Sequence, residues 1–180
     1  DHTHQELCEA WLAGFALSKA LVNETVDSDV DLREAGPDVV PPEFVDLVEI
    51  GYGYDAVSYK LADQVRTGAF DAVQDCFAEY DLLVSATVAA LPVENRVDGS
   101  GSTVGPDEVA GESVDPLIGW TLTYPFNMTG HPAVSIPAGF VDGLPVGMQI
   151  VGHRFDDGRV LADAGAVERV RPWADSYASI

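Results

Sequence analysis

Apolar residues recur along this chain in blocks whose period changes. Leu7, Cys8, Trp11, Leu12 and Phe15 follow helical spacing and predict an amphipathic helix over about 4–22. Residues 23–38 are acidic and turn-rich, the pattern of a surface loop. Pro41 and Pro42 open a short helix with Phe44, Val45, Leu47 and Val48 as its apolar residues, ended by Gly51 and Gly53. Asp55 is placed to cap a long helix over 55–79 with the stripe Leu61, Val65, Ala69, Ala72, Val73, Cys76 and Phe77.

The period then shortens. The run 81–88, DLLVSATV, is apolar enough for a strand buried on both faces. Residues 89–115 carry Pro92, Gly99, Gly101, Gly105, Pro106 and Gly111 with almost no apolar pattern, and predict a long loop. Ile118–Phe126 is apolar and aromatic, with Pro125 confining any helix to its N-terminal part. Ala133–Pro137 and Val146–Val151 read as strands joined through Asp142-Gly143, a strong hairpin signal. Asp156 or Asp157 then caps a helix to about Arg171, whose core face is Val160, Leu161, Ala164 and Val167 and whose last turn carries Arg169. The order α-α-α-β-loop-β-β-α is an α/β arrangement with too few strands for a complete sheet. It divides into a helical lead-in (1–53), a helix and strand (54–88), the loop (89–115), and the strands with the final helix (116–180).

Charge changes the picture more than length does. The chain's 180 residues hold 30 acidic and 9 basic side chains, a net charge of −21, with lysine only at 19 and 60. Nucleic-acid binding through phosphates requires basic patches, which this balance denies. The acids are spread along the chain and not gathered in a tail. That distribution favours adaptation to a salty (halophilic) cytoplasm over an acidic partner-binding surface. Cys8 and Cys76 make no disulfide framework or C-x-x-C pair, which suits a reducing, cytoplasmic setting. No apolar run has the length of a membrane span. The first residue is Asp1 and not Met, as expected of a fragment or of a chain that has lost an upstream part.

The densest signal is Trp120–Gly152, WTLTYPFNMTGHPAVSIPAGFVDGLPVGMQIVG. It joins N-x-T-G-x-P, S-I-P-A-G and G-L-P-V-G-x-Q-I-V-G in one block. Together with DAVSYKLADQVRT and FAEYDLLVSAT upstream, and D-D-x-x-V-L-A-x-A-x-A-x-E downstream, the block closely resembles the C-terminal half of amidase signature enzymes. One element alone is weak evidence, but several in the right order with similar spacing are strong. Ala86 departs from the pattern, since the family usually has Pro after the strand.

The resemblance implies a fold and a chemistry. The fold is part of the mixed-sheet amidase signature architecture flanked by helices, with the N-terminal half absent. The chemistry is hydrolysis of carboxylic amides at a Ser–cisSer–Lys centre, with transfer of the acyl group to serine and then to water. A base–relay–nucleophile chain of that kind needs an unprotonated lysine in hydrogen-bond reach and preorganised oxyanion donors. No residue of this chain matches those positions, so the expectation is no catalytic residue here and no activity alone. The segment 98–103, DGSGST, looks like the family's Gly/Ser stretch but follows the wrong strand and reads as a linker.

Trp120, Tyr124, Phe126 and Asn127 are the substrate-pocket candidates, because by resemblance this segment faces the nucleophile. The alternative is that the aromatics fill the core and that Asn127 holds the turn before Gly130. The A subunits of glutamyl-tRNA(Gln) amidotransferases carry, where Trp120 aligns, an Asp that grips the substrate's α-amino group. An indole suits an apolar or aryl amide instead. The competing readings are such an A subunit, or a non-catalytic remnant persisting as a split subunit or interaction module. The implied partners are a small-molecule amide in the complete enzyme and the missing N-terminal half or a partner chain, with a homodimer possible. No membrane, nucleic acid or cofactor is implied.

No metal site is expected. His2 and His4 lie at a terminus that frays, His131 stands at a strand entrance, and His153 at an exposed strand exit. No H-E-x-x-H or zinc-spaced cysteine pair occurs. Gly139, Gly143 and Gly147 mark tight backbone and not a phosphate cradle, lacking a strand–GxGxxG–helix context. Arg66 is set to pair with Asp63 one turn away.

With part of the fold absent, the strands around Leu82–Val84 and Val146–Val151 are expected to lack neighbours and leave apolar edges, which together with the charge predicts marginal folding in isolation. Raising KCl from about 0.1 M to about 2 M is expected to raise the melting temperature by several degrees, because screening relieves self-repulsion. A melting temperature unmoved by salt in circular dichroism would contradict this account of the charge.

Overall fold

The computed structural model describes residues 3–25, 31–34, 40, 42–93 and 105–177. The segment 98–103 and His2 lie outside the described residues. The chain forms two compact units, Asp1–Ala69 and Phe70–Ile180.

The first unit is helical. Helix α1 spans His4–Thr25 and α2 spans Pro42–Gly53. Thr3 and Glu6 open α1 as a reciprocal cap. The Thr3 hydroxyl accepts the Glu6 N–H at 3.2 Å, and the Glu6 carboxylate accepts the Thr3 N–H at 2.7 Å. The expected apolar face of α1 is only partly the buried one. Cys8 is buried, but the rest of the buried stripe is Ala13, Ala16 and Ala20, while Leu7, Trp11, Leu12 and Phe15 are half-buried. Small residues face inward because α2 comes very close. A Cβ on Gly51 would stand 2.2 Å from the Ala16 carbonyl oxygen and 3.0 Å from the Ala20 methyl. Gly51 therefore continues α2 as its contact point and does not end it.

Polar groups tie the end of α1 to α2 and to the segment between them. Buried Asn23 donates to the Tyr52 hydroxyl at 3.1 Å and accepts the Leu32 N–H at 2.8 Å, while Tyr52 bonds Glu24. Arg33 forms a bidentate pair with Asp31, the closest approach being 2.6 Å, and lies 4.8 Å from the centre of the Tyr52 ring. The guanidinium holds the Asp31 carboxyl well below its usual range.

Helix α3, Ala56–Phe77, starts as expected, with the Asp55 carboxylate accepting the Ser58 N–H at 2.7 Å. Arg66 pairs with Asp63 at 3.2 Å, and Lys60 pairs with the same carboxylate at 3.1 Å. The expected stripe is buried only at Ala69 and Phe77, with Leu61, Ala72 and Cys76 exposed.

The second unit carries an antiparallel sheet of order β1-β5-β4, with β1 Leu83–Ala86, β4 Ala133–Val141 and β5 Leu144–Val151. A separate two-stranded ribbon, β2 Glu108–Val109 and β3 Glu112–Ser113, turns at Ala110-Gly111, both with positive φ. It lies inside the segment read from sequence as loop. Asp142 (φ 52°) and Gly143 (φ 80°) form the two-residue β4–β5 turn, as the Asp-Gly signal requires. The strands run longer than their apolar cores because the ladder continues to this turn, past a bulge between Pro137 and Gly139.

Two expectations about these strands are corrected. β1 alternates in burial and its Val84 is 59% exposed, so it is not covered on both faces. β5, expected to lack neighbours, is the central strand, and β1 and β4 are the edges.

Helix α4, Tyr124–Thr129, begins beside Pro125 and does not end there, because proline suits a first helical turn. Helix α5, Asp157–Val170, buries Val160 and Ala164 but leaves Leu161 65% exposed, since it lies off the i, i+4, i+7 stripe continued by Val167. Ile136, Ile150 and Ala164 form the core, with Leu82, Val134, Met148, Val167 and Trp173 packed against it. A short α6, Ala174–Tyr177, follows.

The α1–α2 contact yields a prediction. Gly51→Ala forces its methyl onto backbone and is expected to destabilise by about 1–3 kcal/mol in chemical denaturation. An unchanged denaturation midpoint would contradict the close approach.

Candidate functional site

The segment that carries the pocket candidates is built from backbone turns. Asp115 starts it, its carboxylate accepting the Leu117 N–H at 2.8 Å and its carbonyl accepting the Gly119 N–H at 2.7 Å. Gly119 has no room for a side chain, since a Cβ would fall 2.7 Å from the Asp115 nitrogen. The chain then runs beside the residues that follow β1. The Ala89 N–H bonds the Trp120 carbonyl at 2.8 Å, the Leu122 N–H bonds the Thr87 carbonyl at 3.0 Å, and Val88 bridges Thr121. The stretch after Ala86 is thus held by pairing without the family's proline.

The candidates occupy different environments. The Trp120 indole N–H donates to the Pro116 carbonyl at 3.0 Å, and Gly105 lies so close to the ring that a Cβ would stand 2.1 Å from the indole nitrogen. Tyr124 is 2% exposed and belongs to the interior. Phe126 is half-buried and Asn127 is exposed. The turn before β4 is closed by backbone: Gly130, in the left-handed region at φ 69°, donates to the Phe126 carbonyl at 2.8 Å. Trp120 and Phe126 are therefore partly open to solvent, whereas Tyr124 is not.

Gln149, which sequence reasoning did not single out, organises this region. It is 2% exposed on the central strand, and its amide nitrogen donates to the Ser85 hydroxyl and to the Leu122 carbonyl, both at 2.9 Å. Its register partners are Ser85 on one side and Ser135 on the other, so three polar residues cross the sheet in one row. One step along, the Thr87 and Ser135 hydroxyls bond at 2.9 Å above Gly147, whose missing side chain makes the room. The available signal was an uncharged polar residue inside the apolar run V-G-M-Q-I-V, where burial demands partners.

His131 is a second buried polar centre. Its ring nitrogens bond the Thr129 hydroxyl at 2.8 Å and the Gln74 side-chain amide oxygen at 3.0 Å, and Phe70 and Phe77 flank the ring. Burial, followed by the Arg154 and His153 charges, lowers its pKa below the usual histidine value. His153 is exposed as expected, with its ring centre 4.6 Å from that of Phe77.

The Ser85, Thr87 and Ser135 hydroxyls bond one another, a carbonyl and an amide, and among the described residues none bonds an imidazole or an amine that would activate it. Among the described residues, no cluster of three or more His, Cys, Asp or Glu has the makings of a metal site, and no helix is long and apolar enough to cross a membrane. Gln149→Leu removes both amide bonds and strands the Leu122 carbonyl. It is expected to destabilise by about 2–4 kcal/mol and to speed hydrogen exchange around Trp120–Leu122. Wild-type exchange there would refute the clamp.

Comparison with known proteins fits this geometry. Residues 16–161 match the Amidase family profile. An acylamidase of Rhodococcus erythropolis is 33% identical over 168 residues, covering 92% of this chain and 32% of that protein. The A subunit of the glutamyl-tRNA(Gln) amidotransferase of Symbiobacterium thermophilum is 40% identical over 119 residues, covering 65% of this chain and 22% of the relative. The crystal structure of a bacterial aryl acylamidase of the amidase signature family superposes with a TM-score of 0.88 at 34% identity, covering 98% of this chain and 36% of that one. This chain spans about a third or less of the length of these relatives. It belongs to the Amidase family, the amidase signature enzymes.

Proposed function

We propose that this chain forms one wall of the substrate pocket, and part of the sheet, of an amidase that hydrolyses apolar or aryl carboxylic amides. Ser, cis-Ser and Lys on polypeptide outside these 180 residues would break the bond. The observation that carries this reading is Trp120, an indole half-open on a segment braced by Gln149 and paired to the chain after β1. An indole face packs an aryl or aliphatic group and offers no charge to an α-ammonium. The likeness to an aryl acylamidase across 98% of this chain supports the same substrate class.

A second reading, the A subunit of a glutamyl-tRNA(Gln) amidotransferase, is favoured by the 40% identity to one such protein. The two readings differ at Trp120, where those proteins carry an acid that grips the substrate ammonium. A third reading, a non-catalytic split subunit, rests on the absence of a residue matching the Ser–cisSer–Lys centre.

Co-expression with the nucleophile-bearing segment of an aryl acylamidase separates them. The pair is expected to hydrolyse 4-nitroacetanilide, each part alone is not, and glutamine is expected to release no ammonia. In the active pair, Trp120→Asp is expected to lower kcat/KM for the anilide about tenfold or more, the scale of one lost apolar contact. A folded pair inert toward anilides overturns the amidase reading, and turnover confined to glutamine selects the amidotransferase reading.

A further inference from the structure

A cleft of about 250 Å³ lies in the second unit, between the bulged part of β4 and the segment that follows α5. Its walls include Phe140, Met148, Val167 and Trp173, and its floor includes Ala138, the residue skipped in the pairing where Pro137 faces Gly147 and Gly139 faces Val146. A skipped residue of this kind bends the strand where it borders the cleft. Among the described residues, one charged side chain lines it, that of Arg171.

The electrostatics of this recess run against those of the chain. The chain carries 30 acidic and 9 basic side chains, yet among the described residues this cleft is lined by a guanidinium and by no Asp or Glu. Among the described residues, no carboxylate lies within ion-pair distance of Arg171, although Arg33, Arg66 and Arg159 each hold one. A planar donor fork with no acidic partner among the described residues, beside aromatic and aliphatic walls, matches a ligand with one carboxylate and an apolar body. Phosphates and other multiply charged anions fit poorly, since the surrounding charge repels them and one guanidinium cannot satisfy their oxygens.

We propose that this cleft binds a small aromatic or branched-aliphatic monocarboxylate, with the carboxylate on Arg171 and the apolar body between Phe140 and Trp173. The site is built entirely from the second unit. It does not depend on the amidase reading, and its test needs no catalysis.

Benzoate, benzamide and benzylamine serve as probes, titrated against the full chain in a buffer that gives its native circular dichroism. Binding is read from the Trp173 indole N–H resonance, assigned with Trp173→Phe. Benzoate is expected to saturate with a dissociation constant on the order of a millimolar, the strength a nine-atom ligand reaches at modest efficiency. Benzamide and benzylamine are expected to bind at least about tenfold more weakly, as charge-assisted bonding to the guanidinium is lost. Arg171 is exposed, so Arg171→Gln is expected to keep the fold and to weaken benzoate to the benzamide level. Ala138→Leu, which fills the floor, is expected to abolish the resonance shift. Absence of saturation by tens of millimolar benzoate, equal binding of benzamide, or undiminished binding by Arg171→Gln would each overturn the proposal.

Discussion

The amide of Gln149 is the constraint on which the second unit turns. It lies on the central strand, nearly without solvent, where an unbonded amide is costly. Its two donor bonds go to different places: one to the neighbouring strand at Ser85, the other to the Leu122 carbonyl in the segment between Trp120 and Tyr124. A sheet residue thus sets the position of a stretch with little regular structure of its own. Where apolar contact would let that stretch slide, two directional bonds hold it. That stretch inherits the rigidity of the sheet through this side chain.

Backbone geometry does the corresponding work elsewhere. Gly51 lets α2 touch the backbone of α1, Gly105 accepts the edge of Trp120, and Gly119 folds the chain back on Asp115. At each point a side chain is excluded by something that cannot move aside cheaply. Close approach, more than bulk, determines how these segments pack, which explains why alanines make up most of the buried stripe of α1.

Much of this was legible in the residues. Helix periods located α1, α2, α3 and α5, the Asp-Gly pair located the β4–β5 turn, and the T-G-x-P and G-L-P-V-G elements located the family. What escaped detection depended on neighbours. Thr3 and Glu6 had the spacing of a reciprocal cap but mixed with other polar residues. Val84 and Leu161 are apolar yet exposed, because residue type does not say which face of an element is covered. Gln149 and His131 are buried through partners 64 and 57 positions away in sequence, Ser85 and Gln74. No local pattern encodes such pairs. Trp120 was recognisable as a pocket candidate, but its half-open setting depends on Gly105 and Pro116, which sequence alone does not bring to it.

Gly147 has a consequence for how the sheet keeps its alignment. Thr87, just past one edge strand, and Ser135, on the other, bond each other over the central strand because nothing projects between them. Slipping either edge by a single residue would turn one hydroxyl to the opposite face and break the tie. The sheet therefore carries an internal gauge, independent of its oily side, that registers whether all three strands are in step.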